Sequence, residues 1–507
     1  MNPNHRPESE QPAWNRRSFL ASTASAAATL MAARASGATP AAESKMLANA
    51  RGVGEFPKDF RWGVATAAYQ IEGAAAEDGR KPSVWDTFSH TPGKTKNGDT
   101  GDVACDHYHR FKDDVKLMVE LGIKHYRFGI SWSRVIPDGR GAVNEKGVDF
   151  YQRLADTLLE NGITPHATLF HWDTPQALED RYGSWRSREI AKDFADYCSV
   201  TVKRLGDRVT NWMTLNEIFC FTYKSYAVTE TPEHAPGLMV KSRQEILQTV
   251  HHALLAHGMG CQAIRAASPK PCQVSLVVNF DPYIPVIETP ENIEAVKKAF
   301  VAEEHNGTVL VPALTGKYNP QAIEKLGADA PNVQNGDMEI IAQPLDLLGF
   351  NNYTGTYVRA ADNAAGYELL PLPKEYPKIQ MPWLNYLPES LYWGVRMISE
   401  ALGKKDLPIC ITENGCATED EVTEKGEVID LTRVLFLRAY LQNAQRATAE
   451  GYPLIGYFHW SLMDNFEWPW GYTRRFGLTH VDFKTQKRTP KQSFRWLQQA
   501  IKDNRVI

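Results

Sequence analysis

Cysteine is scarce: seven occur in 507 residues, no two as a C-x-x-C pair, so neither a zinc cluster nor a disulfide framework is expected. Net charge is small, with 56 Lys+Arg against 60 Asp+Glu and a formal −4. That balance has neither the basic excess of a nucleic-acid binder nor the acidic block of a solvating tail. No repeat with a period of about 20–50 residues is visible, no low-complexity linker follows residue 54, and there is no glycine-rich phosphate loop. Aromatic residues, by contrast, are plentiful. Thirteen Trp and 20 Tyr exceed the needs of a core, and flat indole and phenol faces suit stacking against apolar ligand faces. At 57.0 kDa and 43% hydrophobic, the chain can bury a large core. Its length allows several domains or one large α/β barrel.

The N-terminal segment reads as an address. Arg16-Arg17, in Asn-Arg-Arg-Ser-Phe-Leu, precede a small-residue, weakly apolar run from Ala21 to Ala33, the order of a twin-arginine export signal. The run is too short to span a bilayer as a permanent helix. The expected organisation is a signal over 1–38, a linker over 39–54 and a catalytic barrel over 55–507. A periplasmic or secreted protein follows, with the twin-arginine export machinery as transport partner and no membrane association after signal removal. Export after folding in a reducing compartment also accounts for unpaired cysteines.

Apolar runs then recur at Phe60–Gln70, His125–Trp132, Pro165–Trp172, Asn211–Asn216, Gln273–Phe280, Leu345–Tyr353, Leu407–Thr412 and Ile455–Leu462. Nearly continuous apolar runs bounded by Gly, Pro or polar residues are what strands buried on both faces of a parallel sheet look like. Amphipathic stretches lie between them, among them Phe111–Leu121, Val148–Glu160, Ser187–Leu205, Gln244–Ala267, Ile293–Leu310 and Thr432–Glu450. The alternation predicts an α/β fold, a single (β/α)8 TIM barrel. The Pro- and aromatic-rich segment Ala360–Leu387 reads as a long loop.

In such a barrel the chemistry belongs at the C-terminal ends of the strands. Gln70 with Glu72, Arg127 with Trp132, His171 with Trp172, Asn216 with Glu217, Asn351 with Tyr353, Glu413 with Asn414, and Trp460 with Asp464 all stand there. Glu217 ends Thr-Leu-Asn-Glu and Glu413 follows Ile-Thr, each after a buried strand, so both carboxylates project into the mouth from strands four and seven. One rim Glu alone would read as half of an ion pair; two, surrounded by Gln, His, Asn and Trp, match the carboxyl pair that glycoside hydrolysis requires.

The stretches Phe-Arg-Trp-Gly-Val-Ala-Thr-Ala-Ala-Tyr-Gln-Ile-Glu-Gly (60–73), Ala-Cys-Asp-His-Tyr-His-Arg-Phe (104–111), Tyr-Arg-Phe-Gly-Ile-Ser-Trp-Ser-Arg (126–134), Phe-His-Trp-Asp-Thr-Pro (170–175), Ile-Thr-Glu-Asn-Gly (411–415) and Trp-Ser-Leu-Met-Asp-Asn-Phe-Glu-Trp (460–468) resemble glycoside hydrolase family 1 β-glycosidases, in order and spacing. The resemblance implies a retaining exo-acting enzyme, most simply a β-glucosidase, with Glu413 as nucleophile and Glu217 as acid/base. Retention implies carboxyls about 5–5.5 Å apart. Arg127, Asn351 and Tyr353 would support the nucleophile. Gln70, His171, Trp172, Asn216, Trp460, Glu467, Trp468 and Phe476 would bind substrate, Asn216 at the sugar 2-hydroxyl and Trp460 as a stacking platform. Glu467 would repel a 6-phosphate, so the implied partner is a non-phosphorylated small-molecule or oligosaccharide β-glycoside. Neither cofactor nor metal is implied. Galactosyl or fucosyl glycones stay open beside glucosyl, as does transglycosylation on the same site or a non-catalytic sugar-binding role. Oligomeric state is left undetermined.

Departures from the family pattern fall around the leaving group: Ile218 where Pro is usual, Asn352 for Tyr, Gly129 for Ser, and an unusual start to the loop Thr229–Gly237. Among the remaining features, His107 and His109, or His251, His252 and His257, form no convergent metal triad. Cys220 reads as packing, a Cys410–Cys416 disulfide is only possible, Glu419–Glu427 reads as a solvated loop, and Trp62 and Trp212 as core.

Overall fold

The computed structural model describes residues 52–507 together with Lys45, Ala48 and Asn49; the expected export signal lies outside the described residues. Eight parallel strands close into a barrel: β1 (Arg61–Ala65), β2 (His125–Gly129), β3 (Thr164–Phe170), β4 (Asn211–Asn216), β5 (Gln273–Val278), β6 (Leu347–Asn351), β7 (Ile409–Asn414) and β8 (Leu454–Trp460). Each pairs with its neighbours in chain order, and β1 closes on β8 with Ala65 opposite Trp460. Each of the eight expected runs contains a barrel strand, but the first is shorter than expected: β1 ends at Ala65, and Gln70 lies in a helical turn over Ala68–Ile71. The runs were conspicuous because helices cover the outside and side chains fill the inside, so both faces of a strand are apolar.

In the helix Glu145–Glu160, Val148, Tyr151, Leu154, Ala155 and Leu158 are buried at three- and four-residue spacing while Asp149, Arg153, Leu159 and Glu160 meet solvent, the geometry of an amphipathic helix on a sheet. Trp62 and Trp212 are buried core residues. The expected helix Ile293–Leu310 is instead two pieces. Pro290–Ala302 ends at an extended Glu303, and Asn306–Leu310 forms a π-helical turn. The buried Asn306 side chain there bonds both the N–H and the C=O of Asp281, at 2.8 and 3.0 Å, tying this break to the loop after β5.

The segment read as a long loop contains part of a small sheet. Thr356–Ala360 pairs antiparallel with Tyr367–Leu370 around a turn at Asn363–Gly366, and parallel with Tyr283–Pro285. Its strands are short and half-exposed, so they lack the continuous apolar run that marks a barrel strand. Two rim residues also turn away from the mouth into ion pairs. Glu72 accepts from Arg134 at 2.9 Å and Tyr151 at 2.7 Å. Asp464 binds Lys491 and Arg475, each at 2.6 Å. Polarity at a strand exit thus serves packing here as well as chemistry.

Candidate active site

The two strands that carry a rim glutamate lose register at their ends. β4 slips against β5 between Met213 and Asn216, and β7 slips against β6 between Ile411 and Glu413. Such irregularities re-aim the side chains that follow. Glu217 continues into a left-handed conformation, with φ 50°, as do Trp172 at 75° and Trp468 at 50°. Non-glycine residues in that region cost energy and are retained where the surroundings over-determine them, typically at functional sites. After Glu413-Asn414 the chain needs glycine for a different reason: a Cβ at Gly415 would lie 1.9 Å from the Trp460 carbonyl oxygen.

A single hydrogen-bonded network joins the two carboxyls. Arg127, wholly buried, donates to Glu413 Oε1 at 2.6 Å and to Asn216 Oδ1 at 2.7 Å. Asn351 donates to the same Asn216 oxygen at 3.0 Å and to Glu217 Oε1 at 2.8 Å. It is itself oriented by the Thr412 hydroxyl at 2.7 Å. With its oxygen so engaged, the Asn216 amide must donate outward, to His171 Nε2 at 3.0 Å. Tyr353 completes the surroundings of Glu413 by donating to its Oε2 at 2.8 Å. The Glu413 carboxyl is raised to about 7, chiefly by burial and also by the Glu217 charge, against the opposing pull of Arg127 and Tyr353 toward ionisation. A guanidinium and a phenol donor together favour the carboxylate, and Glu413 has both.

Glu217 is bonded differently. Besides Asn351, it accepts from the Cys220 thiol at 3.0 Å, which in turn accepts from Asn279 at 3.5 Å. Cys220 therefore packs, as expected, but directly against a site carboxyl; one helical turn after Glu217 is the spacing that signals it. Glu467 is pushed up to about 8 by burial and by the nearby Glu413 and Glu217. Gln70 donates to it at 3.4 Å and to the Phe466 carbonyl at 2.8 Å. Burial and Arg127 hold His171 well below the usual imidazole range, and it is neutral. His171 Nδ1 and Gln70 Oε1 are buried polar atoms with no protein partner, an arrangement native proteins seldom leave without a ligand or water to satisfy it.

These groups border a cavity of about 280 Å³ lined by His171, Trp172, Glu217, Asn351, Tyr353, Glu413, Trp460, Glu467, Trp468 and Phe476. Gln70, Arg127 and Asn216 stand behind that lining, fully buried. Aromatic rings form one wall: His171 stacks with Trp460 at 5.7 Å and with Trp468 at 5.9 Å, and Trp172 lies 4.5 Å from Trp468. Lining residues that the sequence did not single out include Phe219, Lys224, Asn279, Asp281 and His305, whereas His234 falls in the Thr229–Gly237 loop and Met381 and Trp383 in the Ala360–Leu387 segment. They come from βα loops, where no periodicity betrays a direction. Ile218, expected to reshape the leaving-group wall, is buried away from the cavity; Asn352 does line it.

The remaining candidates have local partners. His107 bonds Asp114 at 2.8 Å, His251 bonds Asp337 at 2.9 Å, and His257 bonds Thr214 at 2.7 Å. Among the described residues no group of three or more His, Cys, Asp and Glu is arranged to hold a metal, and no helix is long and apolar enough to cross a membrane. Cys410 and Cys416 are both free and buried. The Glu419–Glu427 segment is largely solvated, but Asp420 is buried against Arg433 at 2.9 Å and Lys491 at 2.5 Å, since the loop anchors one end of a buried ion network.

Comparison with known proteins agrees with this geometry. The profile of glycosyl hydrolase family 1 matches residues 53–506. "Beta-glucosidase A" of Thermotoga maritima is 43% identical over 455 residues, covering 89% of this chain and 99% of that protein. A "Bifunctional beta-D-glucosidase/beta-D-fucosidase" of Bifidobacterium breve is 42% identical, covering 89% and 98%. The solved structure of the Thermotoga maritima β-glucosidase in complex with glucoimidazole superimposes with a TM-score of 0.79 at 42% identity, covering 89% of this chain and 100% of that one. With the barrel, the paired rim carboxyls and a match along nearly the whole described chain, the protein belongs to glycosyl hydrolase family 1 and is a glycoside hydrolase.

Proposed function

We propose that the protein is a retaining, exo-acting β-glucosidase that works by double displacement, with Glu413 as nucleophile and Glu217 as acid/base. The observation that carries this is the unequal environment of the two carboxyls: Glu413 alone faces a guanidinium and a phenol donor. In the first step a Glu413 oxygen bonds to the anomeric carbon as the bond from that carbon to the aglycone oxygen breaks, and Glu217 delivers its proton to the departing oxygen. In the second, water attacks the anomeric carbon, Glu217 takes its proton, and the ester bond to Glu413 breaks.

Asn216, held by Arg127 and Asn351, is set to meet the sugar 2-hydroxyl. Glu467, Gln70 and His171 supply acceptors and a donor for the other hydroxyls, and Trp460 offers an apolar face. A glucosyl glycone is favoured by the names of the relatives; the Bifidobacterium breve protein's second activity extends the reading to fucosyl. For location, Arg16-Arg17 and the Ala-rich run behind them support twin-arginine export to the periplasm or beyond, testable by the N-terminus of the protein recovered from each compartment.

The test of mechanism is intact mass after exposure to 2-deoxy-2-fluoro-β-glucosyl fluoride. One added sugar, mapped by peptide mass to Glu413, is expected. Labelling elsewhere, or no label with either the glucosyl or the galactosyl reagent, overturns the assignment.

A further inference from the structure

Outside the glycone end, the cavity changes character. Its outer wall is made by Phe219, Phe280, Met381 and Trp383, the last 40% exposed and edge-on to Tyr353 at 5.6 Å. The amide groups there are already engaged: Asn352 donates to the Thr354 carbonyl at 2.8 Å and accepts from Ser390 at 2.7 Å, and Asn279 donates to Cys220. His305 lies 3.3 Å from the half-exposed Asp281 carboxylate, and His234 Nδ1 and the Thr354 hydroxyl have no protein partner. Most of this wall is aromatic or apolar, a surface suited to a flat ring.

Lys224 is the lysine of this half. Its ammonium lies over the rings of Phe219 and Trp383, at 6.0 and 5.9 Å. Arg127 pairs with Glu413 at the other end of the cavity, and among the described residues Lys224 joins no ion pair. The same pattern continues across the shared Pro469–Trp470 wall into an adjoining cavity of about 370 Å³, lined by Lys94, Lys96, Phe88 and Trp470 with Glu233 as its carboxylate. Lys96 and Arg474 lie over Trp470 at 5.9 and 4.7 Å, and Lys94 over Phe88 at 5.2 Å. Four cations thus sit on aromatic shelves beside the two cavities, and one of them, Lys224, lines the leaving-group half itself.

We propose that this half selects β-glucosides whose aglycone is an aromatic ring bearing a carboxylate, the ring seated between Phe219 and Trp383 and the carboxylate read by Lys224. The proposal rests on the glycosidase reading above and adds the substrate class. Cations at the rim also raise the local concentration of such anions, an effect that salt suppresses.

The test compares kcat/KM for para-carboxyphenyl β-glucoside with that for its methyl ester, in the wild-type protein and in Lys224→Met. The two substrates differ in charge and, because an ester withdraws electrons more strongly than a carboxylate, in leaving-group ability; comparing the acid-to-ester ratio between the two proteins cancels that difference and any general loss of activity. At low ionic strength the ratio is about fivefold higher in the wild type than in Lys224→Met, the scale of a solvent-accessible ion pair. At about 1 M salt the wild-type ratio falls toward that of Lys224→Met. A ratio that Lys224→Met leaves unchanged overturns the proposal. Should neither glucoside be turned over, the glycosidase reading has failed by itself. The aglycone proposal is then decided by calorimetric titration of para-hydroxybenzoate against para-hydroxybenzamide. Tighter binding of the benzoate in the wild type alone supports it, and equal binding refutes it.

Discussion

Removing one hydroxyl, in Tyr353→Phe, isolates what favours the charged form of Glu413, the proposed nucleophile. The phenol donates to Glu413 Oε2 at 2.8 Å, and burial together with the neighbouring Glu413 keeps the Tyr353 O–H protonated far above its ordinary range, so it remains a donor throughout the working pH range. A hydrogen bond to a charged acceptor is worth about 1.5–3 kcal/mol, and about 1.4 kcal/mol corresponds to one pH unit. The bond stabilises the carboxylate, so its loss raises the pKa. Glu413, already lifted to about 7 by burial, should move up by a further one to two pH units, roughly as those two constants imply. Only the ionised form attacks, so activity is lost at the acid end. The acidic limb of kcat/KM against pH for an aryl β-glucoside should therefore shift to higher pH, and kcat/KM near pH 6 should fall about 10- to 100-fold by the same arithmetic. Because the carboxyls titrate as a pair, the limb reports the pair, and its displacement between wild type and variant is the quantity to compare. A rate that falls with the limb unmoved would mean that Tyr353 positions substrate and does not set the charge of Glu413.

Further consequences are equally open to measurement. Glu217→Gln keeps the Asn351 contact but cannot donate a proton, so turnover of glucosides with poor leaving groups should fall by about 10²–10⁴-fold. A dinitrophenyl glucoside should lose much less in its first step, visible as a burst, and added azide should speed release of the glycosyl-enzyme; equal losses for all leaving groups would remove Glu217 from the acid role. Lys491 is fully buried between Asp420 and Asp464, at 2.5 and 2.6 Å. Lys491→Met leaves two buried carboxylates short of a partner and should cost about 3–5 kcal/mol in chemical denaturation. A loss below about 1 kcal/mol would mean that Arg433 and Arg475 suffice to hold the network.

The barrel was legible because its information is local. A strand covered on both faces must be apolar along its whole length, so eight such runs name themselves, and the residue that ends each run stands at the mouth whatever the rest of the chain does. Glu217 and Glu413 were identifiable on that ground. So were His171, Trp172 and Trp460, and the aromatic surplus had already suggested a stacking wall. The half-exposed hairpin Thr356–Ala360 and Tyr367–Leu370 gave no comparable signal, because it packs on one side only.

Tertiary structure alone decided how the rim polar groups divide their work. Glu72 and Glu217 are both carboxylates beyond the C-terminal end of a barrel strand, yet Glu72 is drawn into Arg134 and Tyr151 while Glu217 faces the cavity. Arg127 on β2 meets Glu413 on β7 only because the barrel closes and brings them across its axis. Lys224 acquires a role only when Trp383, far along the chain, arrives beside it. Hydrophobic periodicity records which way a residue faces within its own element; it carries no record of which distant partner waits there, and electrostatic and hydrogen-bonding roles are properties of that partner.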